Sequence, residues 1–206
     1  MPGKIFGTVM SHGLKGRMLT KNELQMLTES RDMDELVTRM KNTVYLDALA
    51  KLTKPYTADK IENALKEYLV NTHTKMVNVS GGARILSAYF VKHITWNLKM
   101  ILKGKALGKS YDELLPKINL RAEELVSRRD LVVKALVSKN LDEAVSSIAG
   151  SEFAEDVTKA AAIYKDKGDV RIFDVYLDHV FYHDLGRAMN TESQKKKKKN
   201  IVSVDI

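Results

Sequence analysis

The sequence predicts an all-α protein. Three observations carry that prediction: helix-start signals recur along the chain, apolar residues follow a helical period, and prolines are confined to Pro2, Pro55 and Pro116. Few prolines permit long helices, and no comparable run shows the alternation of a half-buried strand.

The elements follow in order. Thr20 is followed three residues on by Glu23, Asp32 by Glu35, and Ser110 by Glu113. Each pair matches a capping box, in which the first side chain accepts a backbone N–H and the glutamate bonds back to the cap residue. Thr57, just after Pro55, opens a segment in which Ile61, Ala64, Leu65, Tyr68 and Leu69 form one apolar stripe. From Ala83 to Lys105 the apolar residues surround the helix: Ile85, Leu86, Tyr89, Phe90, Ile94, Trp96, Leu98, Met100, Ile101 and Leu102. A helix apolar on all sides is expected to be buried among others. Lys99, Lys103 and Lys105 near its end, then Gly104 and Gly108, suit the negative end of a helix dipole and a glycine stop.

The chain has 206 residues, 44% of them apolar and 29% charged, which is enough for a buried core in one large domain or two small ones. No apolar run approaches the length of a membrane span, and Met1 to Phe6 carries no apolar signal region, so no secretory signal is read there. The absence of cysteine excludes disulfides, thiolate metal sites and thiol nucleophiles. The net charge is +8, but Lys195 to Lys199 supply five of those charges and the remainder carries +3. That run reads as a solvated loop that binds anions without specificity.

The chain also resembles itself. Asp32-Met33-Asp34-Glu35-Leu36-Val37 reads like Asn140-Leu141-Asp142-Glu143-Ala144-Val145, and Thr43 and Tyr45 correspond to Ser151 and Phe153, all at an offset of 108. Further on, Glu62, Leu65 and Leu69 match Asp174, Leu177 and Phe181 at an offset of 112. The same offset sets Val91, His93 and Ile94 against Ser203, Asp205 and Ile206. This divides the chain into a first helical unit, 1–115, and a second, 116–206, containing the lysine-rich loop 195–199 and stopping partway.

These segments carry a family resemblance. Leu14-Lys15-Gly16-Arg17-Met18-Leu19, the Asp32–Leu36 helix with Thr43-Val44-Tyr45, and Asn97-Leu98-Lys99-Met100-Ile101-Leu102-Lys103-Gly104-Lys105 are similar to segments of the C subunit of archaeal A-type ATP synthases, the counterpart of the d subunit in V-type ATPases. Lys103 stands where arginine is usual in that family. Ile172 to Asp184 resembles the start of the family's second unit, and Val202 to Ile206 the approach to its next helix.

The resemblance implies three tandem helical units arranged as a funnel. It also implies a non-catalytic subunit on the cytoplasmic face of the membrane, held there through protein contacts. Its partners would be the membrane rotor ring and the central-stalk subunits, between which it passes torque. No cofactor, metal or direct nucleotide is implied, and nucleic acid is not an expected partner. The alternative is a basic helical nucleic-acid-binding module, resting on the net charge and the lysine run; no recognition-helix motif supports it.

The residues that invite a chemical reading do not complete one. Gly104-Lys105-Ala106-Leu107-Gly108-Lys109-Ser110 has three residues between its glycines where a phosphate loop needs four, and it follows a helix. His179 and His183 have metal-ligand spacing, but Val180 stands where zinc hydrolases need glutamate, so packed or interfacial histidines are expected. His93, amid Phe90, Ile94 and Trp96, is expected to be a hydrogen-bonded core histidine. Carboxylates such as Glu123-Glu124 and Asp32-Asp34-Glu35 are expected on exposed faces, and no pair is placed for acid–base work. No catalytic, cofactor or metal residue is assigned.

Overall fold

The structure is a computed structural model that describes the backbone of residues 2–202 and the side chains of 5–191. Every regular element among the described residues is helical. The elements are α1 (Pro2–Lys15), α2 (Lys21–Thr28), α3 (Met33–Lys41), α4 (Leu46–Leu49), α5 (Ala58–Val79), α6 (Arg84–Ala88), α7 (Phe90–Ala106), α8 (Tyr111–Leu114), a 3-10 turn (Leu115–Lys117), α9 (Arg121–Leu125), α10 (Arg129–Val137), α11 (Leu141–Ser147), α12 (Ala154–Lys167) and α13 (Ile172–Val202).

The helix starts lie where their side chains demand. Thr20 and Ser110 form reciprocal capping boxes with Glu23 and Glu113. Asp32 caps α3 by accepting from the Glu35 N–H at 2.8 Å, but the Glu35 carboxylate reaches one residue further back, to the N–H of Arg31 at 3.0 Å. That bond, with the Arg31 and Arg39 side chains, lowers the Glu35 pKa to about 2. At α12, Gly168 supplies the left-handed residue (φ 70°) that ends the helix.

The chain divides between Gly82 and Ala83 into two compact units. In the first, α2 packs on α3, α3 on α4 and α4 on α5, while α1 lies along α5. Its core is small: Val37, Met40, Leu49 and Ile61, with Leu27, Leu36, Tyr45 and Leu65 around them. In the second unit, α10 to α13 pack in the same serial order and α7 lies against α10, α11 and α13. Ile94, Leu98, Ile101 and Leu102 of α7 there join Val132, Leu141, Phe153, Phe173 and Leu177 in one core. This packing division falls before α7, whereas the repeat reading divides the sequence after residue 115. Repeat similarity and packing are different properties, and α7 is read with the first unit and packed with the second.

The similarity at offset 108 extends to individual hydrogen bonds. Asn140 caps α11 by accepting from the Glu143 N–H at 2.9 Å, and the Glu143 carboxylate accepts from the Lys139 N–H at 2.9 Å, as Glu35 does from Arg31. Thr38 donates to the Asp34 carbonyl and Ser146 to the Asp142 carbonyl. Thr43 donates to the Met40 carbonyl and accepts from the Tyr45 N–H; Ser151 does the same with Ile148 and Phe153. The helices α2, α3 and α4 begin at Lys21, Met33 and Leu46, and α10, α11 and α12 begin 108 residues on, at Arg129, Leu141 and Ala154. The expected match of Val91, His93 and Ile94 to Ser203, Asp205 and Ile206 lies outside the described residues.

Two expectations are corrected. The helix predicted over Ala83–Lys105 is two helices meeting at Tyr89, and it is not buried all round: Trp96 is 40% exposed. Its apolar residues outnumber the positions that α10, α11 and α13 cover, so one side remains open. The backbone of Lys195–Lys199 continues α13 and does not form a loop. Lysine is a good helix former, and neither Gly nor Pro interrupts the stretch. No helix among the described residues is long and apolar enough to cross a membrane.

Candidate functional site

A groove of about 380 Å³ lies between α7 and α13. It is lined by Lys92, Thr95, Trp96, Lys99, Met100, Lys103, Asp174 and Asp178. Lys99 pairs with Asp178 at 2.6 Å, and Lys103 holds both oxygens of Asp174 at 2.8 and 3.0 Å. Both lysines and both aspartates are four residues apart, hence on one face of each helix. The pairing order is antiparallel, so the two rungs fix the register of α7 along α13. At the far end, Tyr89 meets Phe181 edge-on at 5.4 Å, and Lys92 donates to the Tyr89 hydroxyl and lies over both rings. These carboxylates are engaged by lysines, so the groove presents an ion-pair ladder beside an exposed indole.

Behind α7, Asn97 is buried and ties the helix to the segment before α9. Its amide N–H groups donate to the Asn119 carbonyl and the Glu123 Oε1, each at 2.7 Å, and its Oδ1 accepts from the Asn119 N–H at 3.3 Å. Glu123 is 0% exposed, which corrects the expectation that it lies on an exposed face. Burial raises its pKa; the Asn97 bond opposes that shift, and Glu124 adds to it. Its Oε2 has no hydrogen-bond partner. Sequence reasoning missed Glu123 because α9 has only five residues, too few for a periodic signal. The available hint was Asn97 itself, an amide inside an apolar helix that must find partners.

The remaining sequence candidates separate. His179 Nδ1 lies 3.0 Å from Asp156 Oδ1, and its ring stacks on His183 with centroids 6.0 Å apart. Asp178 is turned to Lys99, and Asp184 lies 4.0 Å from His183. Among the described residues no group of three or more His, Cys, Asp or Glu is arranged to hold a metal ion. His93 is half-buried beside Phe90. In the Gly104–Ser110 stretch, the Gly108 N–H donates to the Lys105 carbonyl and the Lys109 N–H to the Gly104 carbonyl, with Gly108 at φ 70°. Its backbone donors thus turn back onto α7 as a helix C-cap.

The model of the ATP synthase (C/AC39) subunit family matches residues 8–206. The chain belongs to that family. Relatives include the A-type ATP synthase C subunit of Methanocaldococcus jannaschii, 30% identical over 82% of this chain and 43% of the relative. Those of Methanococcoides burtonii and Methanosarcina mazei are 26% and 24% identical over 89% and 90% of this chain, and 50% of each relative. The chain therefore spans about half the length of these curated relatives. No solved structure matches it. Asn97–Lys105, within the matched residues, is the stretch that forms the ladder with α13 and the buried amide link to Glu123.

Proposed function

We propose that this chain is a non-catalytic coupling subunit of a rotary ATP synthase, connecting the membrane rotor ring to the central stalk on the cytoplasmic face. The observation that carries this reading is the family match over residues 8–206, with curated relatives named as C subunits of A-type ATP synthases. The mechanism is mechanical. A subunit that transmits torque must resist shear, and a core packed at crystalline density does so. Here Leu98, Ile101 and Leu102 interlock with the helices beneath them while the Lys99–Asp178 and Lys103–Asp174 rungs oppose sliding along the helix axis. On this reading the repeat units are 1–115 and 116–206.

The test is binding of the purified chain to detergent-solubilised rotor ring and, separately, to the central-stalk subunits, at about 150 mM and about 500 mM salt. Retention by either partner at the higher salt is expected. Failure to bind both, with salt-sensitive binding to a polyanion, would replace this reading with the basic-module one.

A further inference from the structure

The chain contains two similar helix sets, and a helix lies across several members of the set only in the second; in the first, α1 packs on α5. In the second unit, α7 lies across α10, α11 and α13. Beneath it or its junction with α6, Val132 is 0%, Leu141 8% and Phe181 4% exposed. The residues at offsets 108 and 112 in the first unit are Leu24, Met33 and Leu69, and they are 50%, 42% and 52% exposed. They lie on α2, α3 and α5, the counterparts of α10, α11 and α13, which pack in the same order. Three large apolar residues are therefore open at the positions that an α7-type helix buries elsewhere in this chain.

The charges say which helix fits. On α13, Asp174 and Asp178 receive Lys103 and Lys99 of α7. Their counterparts on α5 are Glu62 and Lys66, which pair with each other at 2.8 Å. The first position keeps its sign and the second reverses it. We infer that the Leu24–Met33–Leu69 face is the seat of an α7-type helix from a partner chain, basic at the Lys103 position and acidic at the Lys99 position.

A second copy of this chain does not meet that description. Its own α7 would set Lys99 against Lys66, and its Leu98, Ile101 and Leu102 are already fully buried in its second unit. The seat stands apart from the coupling role, because it concerns how the helix set is completed and not what the assembly does.

The test uses the full chain and two labelled peptides covering Arg84–Ala106, so that Tyr89 and α6 are included, one native and one carrying Lys99→Glu. Both are stapled across their solvent-facing positions so that helix is preformed, since short isolated helices are marginal in water. Fluorescence anisotropy is expected to show the Lys99→Glu peptide binding roughly fivefold more tightly than the native one at low salt. Leu69→Asp or Leu24→Asp in the chain should weaken that binding by about tenfold or more, while Tyr182→Asp on α13 leaves it unchanged. The paired substitution Glu62→Lys with Lys66→Glu should remove the preference for the Lys99→Glu peptide, because it exchanges the signs that the seat reads.

No binding by either helical peptide, or binding indifferent to Leu69→Asp and Leu24→Asp, overturns the inference. So does self-association of the chain that Leu69→Asp abolishes, which would make a second copy the occupant.

Discussion

At Gly104 the buried side of α7 leaves no room for a methyl group. A Cβ placed there would lie 2.3 Å from Leu114 Cδ2 and 3.1 Å from Cδ1, and Leu114 is itself buried under α7. Alanine is the better helix former by about 1 kcal/mol, but forcing Leu114 out of its place costs about 1–3 kcal/mol. Gly104→Ala is therefore expected to destabilise in urea unfolding, and Leu114→Ala, though destabilising alone, should relieve the added cost in the double variant. Glu123 supplies a second residue-level expectation. Its carboxyl binds a proton more tightly in the folded chain than in the unfolded one, so its contribution to stability is complete below the ordinary carboxylate pKa and is lost as pH rises through the raised folded value. Glu123→Gln should flatten that pH dependence, with the variant gaining in melting temperature relative to wild type as pH rises above the ordinary carboxylate range. If wild type and variant instead fall in parallel, Glu123 is not the titrating group. Neither position is fully legible in sequence: Gly104 reads as a helix stop, and nothing in Glu123-Glu124 says which carboxylate turns inward.

Helix ends are legible because caps are local chemistry. Thr20, Asp32, Thr57, Ser110 and Asn140 each accept the backbone N–H three residues on. Substituting Asp32 or Asn140 by Ala should cost about 1 kcal/mol each, the first in α3 and the second in α11. Glu35 adds an acid limit to α3. Its pKa is lowered to about 2, so the stabilisation it gives is present above the ordinary carboxylate range and is lost as pH falls toward 2. Protection factors in α3, taken relative to intrinsic exchange at each pH, should fall through that window, and Glu35→Gln should remove the fall. What depends on tertiary packing is less legible. The break at Tyr89 lacks Pro or Gly, and α1 over Pro2–Lys15 carries no cap signal. The lysine run reads as a loop only when charge density is set above helix propensity.

At the scale of the whole molecule, the two units differ in how much apolar surface each encloses. The second unit gathers Ile94, Leu98, Ile101 and Leu102 with the inner faces of α10 to α13, whereas the first rests on Val37, Met40, Leu49 and Ile61. The similarity of the helix sets is legible in sequence, through pairs such as Asp32 with Asn140 and Thr43 with Ser151, because caps and turns need only neighbours in the chain. It does not show that α7 packs on the later set, since that choice is made by contacts distant in sequence. The consequence is a difference in local stability, because opening free energies follow the buried apolar contacts that an element makes. Native-state hydrogen exchange should find α2, α3 and α5 opening at lower free energy than α7, α10 and α13. Adding the stapled Lys99→Glu helix at saturating concentration should raise protection in α2, α3 and α5 and leave α10 to α13 unchanged, since a ligand stabilises the folded state to which it binds. Equal protection in the two sets without the helix would mean that the open apolar face costs the first unit nothing.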